Sequence, residues 1–118
     1  MQLANIFGHS DGLADLRRGM RDFVEREAIP RESAELVHDL AKLDEIARIL
    51  RAKAKSAGLY APQLPVALGG LGLSWKDRPA LLEGAGPSFL GPVAINCAAP
   101  GQPNIINLLQ HGTAAQRD

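Results

Sequence analysis

A glycine-rich stretch in the middle of the chain is the first candidate for a site of chemistry. It contains Gly69, Gly70 and Gly72 and ends at Ser74. Such loops bind phosphates when free backbone N–H groups surround the phosphate oxygens. Here Trp75 stands where a dinucleotide fingerprint counted from Gly70 needs its last glycine, and no Gly-Lys-Ser/Thr follows. The spacing therefore predicts a tight turn leading into a helix rather than a phosphate site.

Nucleophile and metal motifs are also incomplete. Residues 86–91 lack the spacing of a nucleophile elbow, because their second glycine comes one residue late. The histidines and the cysteine share no metal-ligand spacing; they are His9, His38, His111 and Cys97. No base stands near Cys97 in the sequence, which favours a small buried side chain over a nucleophile. We predict no catalytic and no metal-binding residue in this chain.

The overall charge argues against nucleic-acid and membrane-surface binding. Thirteen basic and thirteen acidic residues give a formal net charge of zero, whereas such binders carry a basic excess. A basic group at residues 48–55 has Asp44 and Glu45 one turn away, which favours a solvated helix face. A helix-turn-helix DNA-binding module is an alternative that this charge pattern disfavours.

Length and composition indicate one small domain with a real core. The chain has 118 residues, of which 46% are hydrophobic. No apolar stretch approaches the roughly 18 residues of a membrane helix, and no signal peptide is evident. The single cysteine is compatible with a reducing cytosol, so we predict a cytoplasmic location.

The two halves of the chain differ sharply in charge. Residues 1–60 carry 20 of the 26 charged residues, whereas residues 61–118 carry six. The second half instead holds eight of the twelve glycines and seven of the eight prolines. Loops need polar surface when they lie in water, so we expect an exposed apolar patch in the second half and self-association through it.

Apolar residues at helical spacing organise the first half. One helix is predicted to start at Ser10 or Asp11 and to end at Pro30, and a short one follows from about residue 33. A long helix is predicted over about residues 40–57, closed by Gly58 in a left-handed conformation. Its apolar stripe comprises Leu43, Ile46, Ala47, Leu50 and Ala54.

The second half begins with a loop and continues with short helices. A capping box at residues 74–77 predicts a helix to about residue 85, with Pro79 in its first turn. A short helix over about 92–97 and a last one over about 104–111 follow. The last helix is predicted to be buried on several sides because its apolar residues cover most of its circumference; they are Ile105, Ile106, Leu108 and Leu109. No strand or repeat is evident, so residues 1–118 are predicted to form one all-α domain of five or six helices.

The chain ends on a signal that normally starts a helix. Thr113 and Gln116 form a capping box, in which each side chain satisfies a backbone N–H of the other residue. Two residues follow it. We therefore expect the sequence to be the front part of a larger protein.

The order of these motifs resembles the N-terminal helical domain of the acyl-CoA dehydrogenase family. The resemblance covers about residues 13–118 and rests on order and spacing rather than on any single motif. Its landmarks are residues 51–62, Leu64-Pro65, residues 69–74, residues 79–83, Asn96-Cys97-Ala98-Ala99-Pro100, Asn104 and residues 112–116. The chain departs from the family where Gly84 and Gly86 stand in a helix that relatives fill with other residues.

The resemblance implies a part of a flavoenzyme. Family members use FAD to remove a hydride from Cβ of an acyl-CoA while a carboxylate takes the α proton. The base and most FAD contacts belong to a middle β-barrel and a C-terminal helical domain, so no FAD is expected in this fragment alone. The domain itself supplies one wall of the acyl-chain pocket. The lining residues would be Ile95, Asn96, Ala99, Pro100 and Pro103, although these side chains could equally pack within their own domain.

Two functions therefore stay open at this level. One is the N-terminal domain of an acyl-CoA dehydrogenase, whose partners are the other domains and the acyl-CoA. The other is a stand-alone helical interaction module without enzymatic activity.

Overall fold

The computed structural model describes residues 11–98 and 101–118, which fold into helices joined by short loops. The described residues form six α-helices: α1 Asp11–Phe23, α2 Leu40–Ser56, α3 Arg78–Ala85, α4 Leu90–Ala94, α5 Gly101–His111 and α6 Ala114–Arg117. Between them lie a π-helical turn, Val24–Ala28, and 3-10 turns at Ile29–Arg31, Ala34–His38 and Val66–Leu68. These residues contain no strand, which confirms the all-α prediction. No helix among them is long and apolar enough to cross a membrane.

The first helix changes its winding before it ends near Pro30. Helix α1 continues into the π-helical turn, which buries Val24 and Ala28, and then into a 3-10 turn. Pro30 stands in the first turn of that 3-10 segment, where its missing N–H costs little. The backbone becomes extended at Glu32, so the helical run ends close to the predicted residue. Of the predicted caps, Ser10 lies outside the described residues.

Helix α2 has the predicted stripe and the predicted end. The side chain of Asp39 accepts the Lys42 N–H at 3.0 Å and caps its start. Three stripe residues are buried and two are half-buried; the buried ones are Ala47, Leu50 and Ala54. Gly58 closes the helix with φ = 70°, a conformation in which a Cβ is disfavoured.

Helices α1 and α3 approach closely where α3 carries Gly84. A Cβ built on Gly84 would lie 3.1 Å from the carbonyl oxygen of Arg17 and 3.3 Å from the side chain of Met20. Arg17 also pairs with Glu83 across the crossing, at 2.7 Å. The glycine that weakens α3 as an isolated helix therefore permits its contact with α1.

The core lies between α1, the π-helical turn, α2, α3 and α4. Its fully buried members include Met20, Val24, Leu50, Leu81, Leu90 and Ile95. Both halves of the sequence contribute to it, so their difference in charge does not correspond to two separate cores.

Helix α5 differs from its prediction. Its apolar residues were expected to be covered on several sides, yet no residue of α5 is buried, and Leu108 is 43% exposed. The molecule is flat, with extents of 42 × 39 × 21 Å. A helix at the margin of such a shape is covered on one side, so the expected burial is wrong within this chain. His111 lies in the last turn of this helix, where a basic side chain is favourable.

Hydroxyl groups accept backbone N–H groups near the starts of α3, α4 and α6. Ser74 Oγ accepts the Asp77 N–H at 3.3 Å, and α3 then starts at Arg78 with Pro79 in its first turn. Helix α4 starts two residues before and ends three residues before the predicted bounds. Near its start, buried Ser88 Oγ accepts the N–H groups of residues 90 and 91 at 3.1 and 3.2 Å. The capping box of Thr113 and Gln116 is confirmed, with both of its hydrogen bonds formed.

Candidate functional site

The glycine-rich loop uses its own amides and has none left for a phosphate. Five consecutive backbone N–H groups, from residue 69 to residue 73, each donate to a backbone carbonyl of residues 61–66, at 2.8 to 3.3 Å. A phosphate-binding loop needs these groups free and convergent. The prediction of a structural turn is therefore confirmed.

Gly70 stands at the tightest point of this loop. A Cβ built on Gly70 would lie 2.2 Å from the carbonyl oxygen of Leu64 and 2.6 Å from that of Ala61. Such distances exclude any side chain at this position without movement of the backbone. The loop is therefore tightly packed against its own backbone at Gly70.

The predicted pocket-lining residues lie at the end of α4 and the start of α5. Ile95 is fully buried in the core of the chain itself. Asn96 is half-buried, and Pro103 is exposed in the first turn of α5. A Cβ built on Gly101 would lie 4.0 Å from Oδ1 of Asn96, which places Asn96 beside that turn. The predicted Ala99 and Pro100 fall outside the described residues.

The backbone around Asn96 is held by the end of α4 and by the glycine-rich loop. At the end of α4 the Asn96 N–H donates to the Val93 carbonyl at 3.2 Å and the Cys97 N–H donates to the Pro92 carbonyl at 2.9 Å. Asn96 has φ = 56° and Ala61 has φ = 51°, and both are left-handed conformations in residues that carry a Cβ. The Ala61 N–H donates to the Ile95 carbonyl at 2.8 Å, and Gln63 Nε2 donates to the Asn96 carbonyl, also at 2.8 Å. The two segments are therefore joined at both of their unusual positions.

Arg78 fixes the other side of Gln63. Its guanidinium donates through Nε to the Leu73 carbonyl at 3.0 Å and through Nη2 to the Gln63 carbonyl at 3.4 Å. It also stacks 4.2 Å from the ring centre of Trp75, whose side chain is 68% exposed. Two buried atoms of this group have no hydrogen-bond partner among the described residues, Nη1 of Arg78 and Oε1 of Gln63.

Cys97 behaves as a buried thiol rather than a nucleophile. Burial raises its pKa, and the nearby charge of Arg78 opposes that rise in part. A raised pKa keeps the sulfur protonated, and the thiolate is the reactive form. The prediction of a small buried side chain is confirmed. In the described part of the chain no three acidic, histidine or cysteine side chains lie close enough to hold a metal ion.

The four basic residues in the 48–55 stretch of α2 each have a partner within the chain, which does not favour a nucleic-acid face. Arg48 pairs with Asp44 at 3.1 Å, and Arg51 Nε donates to the Val93 carbonyl at 3.2 Å. Lys53 pairs with Glu27 at 3.1 Å, and Lys55 lies 4.6 Å from the ring centre of Tyr60.

An open groove of about 470 Å³ lies where the π-helical turn meets the end of α2. It is lined by Phe23, Glu27, Ala52, Lys53, Ser56 and Ala57. Sequence reasoning missed this groove and also missed Gln63. Neither has a local signal in the sequence. The ion pair of Glu27 and Lys53 beside the groove joins residues that are 26 positions apart, and the hydrogen bond from Gln63 to Asn96 joins residues that are 33 positions apart.

Sequence and structure comparisons place this arrangement among known proteins. The all-α fold is that of the N-terminal domain found in one class of larger enzymes. The family description "Acyl-CoA dehydrogenase, N-terminal domain" matches residues 10–118. The chain therefore belongs to the acyl-CoA dehydrogenase family.

One solved structure supports the same conclusion. The chain is similar to a presumed acyl-CoA dehydrogenase from Mycobacterium abscessus, with 32% sequence identity and a TM-score of 0.78. The match covers 92% of this chain and 30% of that one, so the chain spans under a third of the length of that relative. None of the curated proteins matches.

The family is FAD-dependent in general, but the glycine-rich loop does not fit a flavin. The pyrophosphate of FAD needs free N–H donors or basic side chains, and the N–H groups of residues 69–73 are all bonded within the loop. We assign no FAD contact to this loop.

Proposed function

We propose that this chain acts as the N-terminal domain of an FAD-dependent acyl-CoA dehydrogenase and forms one wall of its acyl-chain pocket. The single observation that carries the proposal is the match to the family's N-terminal domain over residues 10–118. The reaction of the whole enzyme is α,β-dehydrogenation of an acyl-CoA thioester. FAD, bound by the middle and C-terminal domains, would accept the hydride there.

The residues proposed for the wall are those at the junction of α4 and α5. Asn96 and Pro103 have accessible surface there, and the predicted Ala99 and Pro100 stand between them in the sequence. Ile95, which lies in the core, would act from behind as support. Small and apolar side chains suit a slot for a hydrocarbon chain, because they remove apolar surface from water without a specific polar partner.

The test is a purification of the 118-residue chain and of the native protein that contains it. We expect the 118-residue chain to retain no stoichiometric FAD and to reduce no electron acceptor with any acyl-CoA, since the base and flavin contacts belong to other domains. The native protein is expected to do both. Tight FAD in the 118-residue chain, or a native flavin-free protein, would overturn the proposal.

A stand-alone interaction module is the second candidate, favoured by the exposed apolar residues of the second half. Val66, Leu68 and Trp75 are 73%, 57% and 68% exposed, and large exposed apolar patches mark interaction surfaces. Reading the gene past the codon for Asp118 separates the two candidates. A stop codon favours the module, and a continuing helix followed by β-barrel sequence favours the enzyme.

A cytoplasmic location and self-association belong to the same proposal. The one cysteine, Cys97, is buried and unpaired among the described residues, as expected in a reducing compartment. Apolar surface that the other domains of the proposed enzyme would cover is the expected contact between copies.

A further inference from the structure

Two polar atoms in the interior of this chain have no hydrogen-bond partner among the described residues. One is Nη1 of Arg78, which is a donor, and the other is Oε1 of Gln63, which is an acceptor. Both atoms are closed to solvent, and Gln63 as a whole is 5% exposed. A buried polar group without a partner lowers the stability of the fold, and a charged group lowers it further. The two atoms therefore call for a partner.

The demand is greater at Arg78, because its guanidinium is charged. The group carries five N–H donors. Its Nε donates to the Leu73 carbonyl at 3.0 Å, and its Nη2 donates to the Gln63 carbonyl at 3.4 Å. The stacking on Trp75, 4.2 Å from the ring centre, uses the face of the guanidinium and none of its N–H groups. The N–H groups of Nη1 are the ones that need an acceptor.

The two side chains meet near the end of α4. The Gln63 amide reaches this place, because its Nε2 donates to the Asn96 carbonyl at 2.8 Å and its Oε1 belongs to the same amide. Burial raises the pKa of the neighbouring Cys97 thiol, and the charge of Arg78 opposes that rise, so the guanidinium lies within electrostatic range of the same segment. Arg78 is also bonded to the Gln63 carbonyl. Nη1 and Oε1 therefore belong to one polar region of the interior, although they form no direct bond.

The hydrogen-bonding sense of the two atoms selects the kind of molecule that satisfies both. An anion would accept from Nη1 but would be repelled by the acceptor Oε1, and a cation would be repelled by the guanidinium. An apolar group would satisfy neither atom. A neutral molecule that accepts and donates at once satisfies both, and closure to solvent limits it to a very small one. Water has this chemistry, and internal waters in proteins make roughly three hydrogen bonds each to groups that are otherwise unsatisfied.

We propose that Arg78 and Gln63 hold one internal water molecule, which accepts a hydrogen bond from Nη1 and donates one to Oε1. The water completes a polar network that runs from the Leu73 carbonyl through the guanidinium and the Gln63 amide to the Asn96 carbonyl. This network links the start of α3 to the end of α4. The site needs only residues of this chain, so it does not rest on the proposed function.

The first test is a high-resolution crystal structure of the 118-residue chain. We expect an ordered water whose oxygen lies about 2.7–3.2 Å from both Nη1 of Arg78 and Oε1 of Gln63. A direct bond between these two atoms, a protein acceptor at Nη1, a water bound to one of the two atoms alone, or no water at either would overturn the proposal.

A double-mutant cycle tests the bridge in solution. Gln63→Met and Arg78→Met each remove one of the two atoms that would hold the water and keep an apolar stem. Since each single variant leaves the other atom without its bridge, the second substitution should cost less than the first. We expect the unfolding equilibrium constant of the double variant to be about fivefold smaller than the product of the two single effects.

The matched control pairs Gln63→Met with Arg31→Met. Arg31 is a part-buried arginine that bonds to Glu27 and shares no hydrogen-bond partner with Gln63. Its effect should combine with that of Gln63→Met to within about twofold of the product. Effects of Gln63→Met and Arg78→Met that combine as closely as those of the control would overturn the proposal. If either Met variant does not fold, the wild-type crystal structure decides between a bridging water and none.

Discussion

Replacing glycine by alanine is expected to have opposite effects on stability at two positions of this chain, and the free space around each glycine determines the sign. A Cβ at Gly70 meets the Leu64 carbonyl oxygen at 2.2 Å, whereas one at Gly19, inside α1, meets nothing within 4 Å. We expect Gly70→Ala to lower the free energy of unfolding by about 1–3 kcal/mol through overpacking. Gly19→Ala should raise it by about 0.5–1 kcal/mol, because alanine favours a helix interior. Urea denaturation of both variants checks this, and a wild-type midpoint for Gly70→Ala would contradict it.

Residues that act on their own neighbourhood were predictable from the sequence. Pro30, Gly58 and Thr113 each impose a local backbone rule, and each ends or begins a helix near the predicted place. Gln63 and Gly84 could not be predicted in the same way. Gln63 contacts a residue that is 33 positions away in the sequence, and Gly84 contacts residues that are at least 64 positions away. A single sequence does not show which distant residues meet.

At the scale of elements, one carboxylate joins the π-helical turn to α2. Glu27 pairs with Lys53 of α2 at 3.1 Å and with Arg31 at 2.9 Å. Its pKa lies below the ordinary value, first because of the hydrogen bond from Lys53 and further because of the charges of Lys53 and Arg31, although burial opposes the shift. Ionisation of Glu27 therefore stabilises the folded chain relative to the unfolded chain.

This depressed pKa gives stability a pH dependence of known sign. The contribution of Glu27 is fully present above its unfolded pKa of about 4.3 and is lost as pH falls through the lower folded pKa. We expect Glu27→Gln to be less stable than the wild type at pH 7 and equally stable at the acidic end of the measured range, where Glu27 is protonated in the wild type. Thermal denaturation from pH 7 to pH 3 measures it, with Glu35→Gln as the exposed control. A constant difference between wild type and Glu27→Gln across that range would contradict this role.

Element types were predictable, whereas the burial of an element was not. The apolar residues of α5 specify a helix, and α5 is present. Which of its sides are covered depends on what packs there, and within this chain one side remains open to solvent. The same apolar pattern is compatible with contact to further domains of the family, as the proposed function requires.

At the scale of the whole molecule, the charge-poor half retains exposed apolar side chains. Val66 and Leu68 are 73% and 57% exposed on one 3-10 turn. Val37 and Leu40, in the charged half, are similarly exposed at 60% and 76%. The two pairs differ in their surroundings, because exposed Glu35 and other charged residues flank the second pair. Charged neighbours oppose apolar association, so the first pair is the better contact between copies.

We therefore expect the 118-residue chain to self-associate at high concentration through the surface that contains Val66 and Leu68. Its formal net charge of zero provides no long-range repulsion between copies. The double variant Val66→Lys/Leu68→Lys should weaken association by about tenfold or more, since two charges would be desolvated in each contact. Val37→Lys/Leu40→Lys adds the same charge elsewhere and should weaken association less. Sedimentation equilibrium over a range of concentrations measures both effects. A monomeric wild type at high concentration, or equal effects of the two double variants, would show that the charge-poor half is not the contact surface.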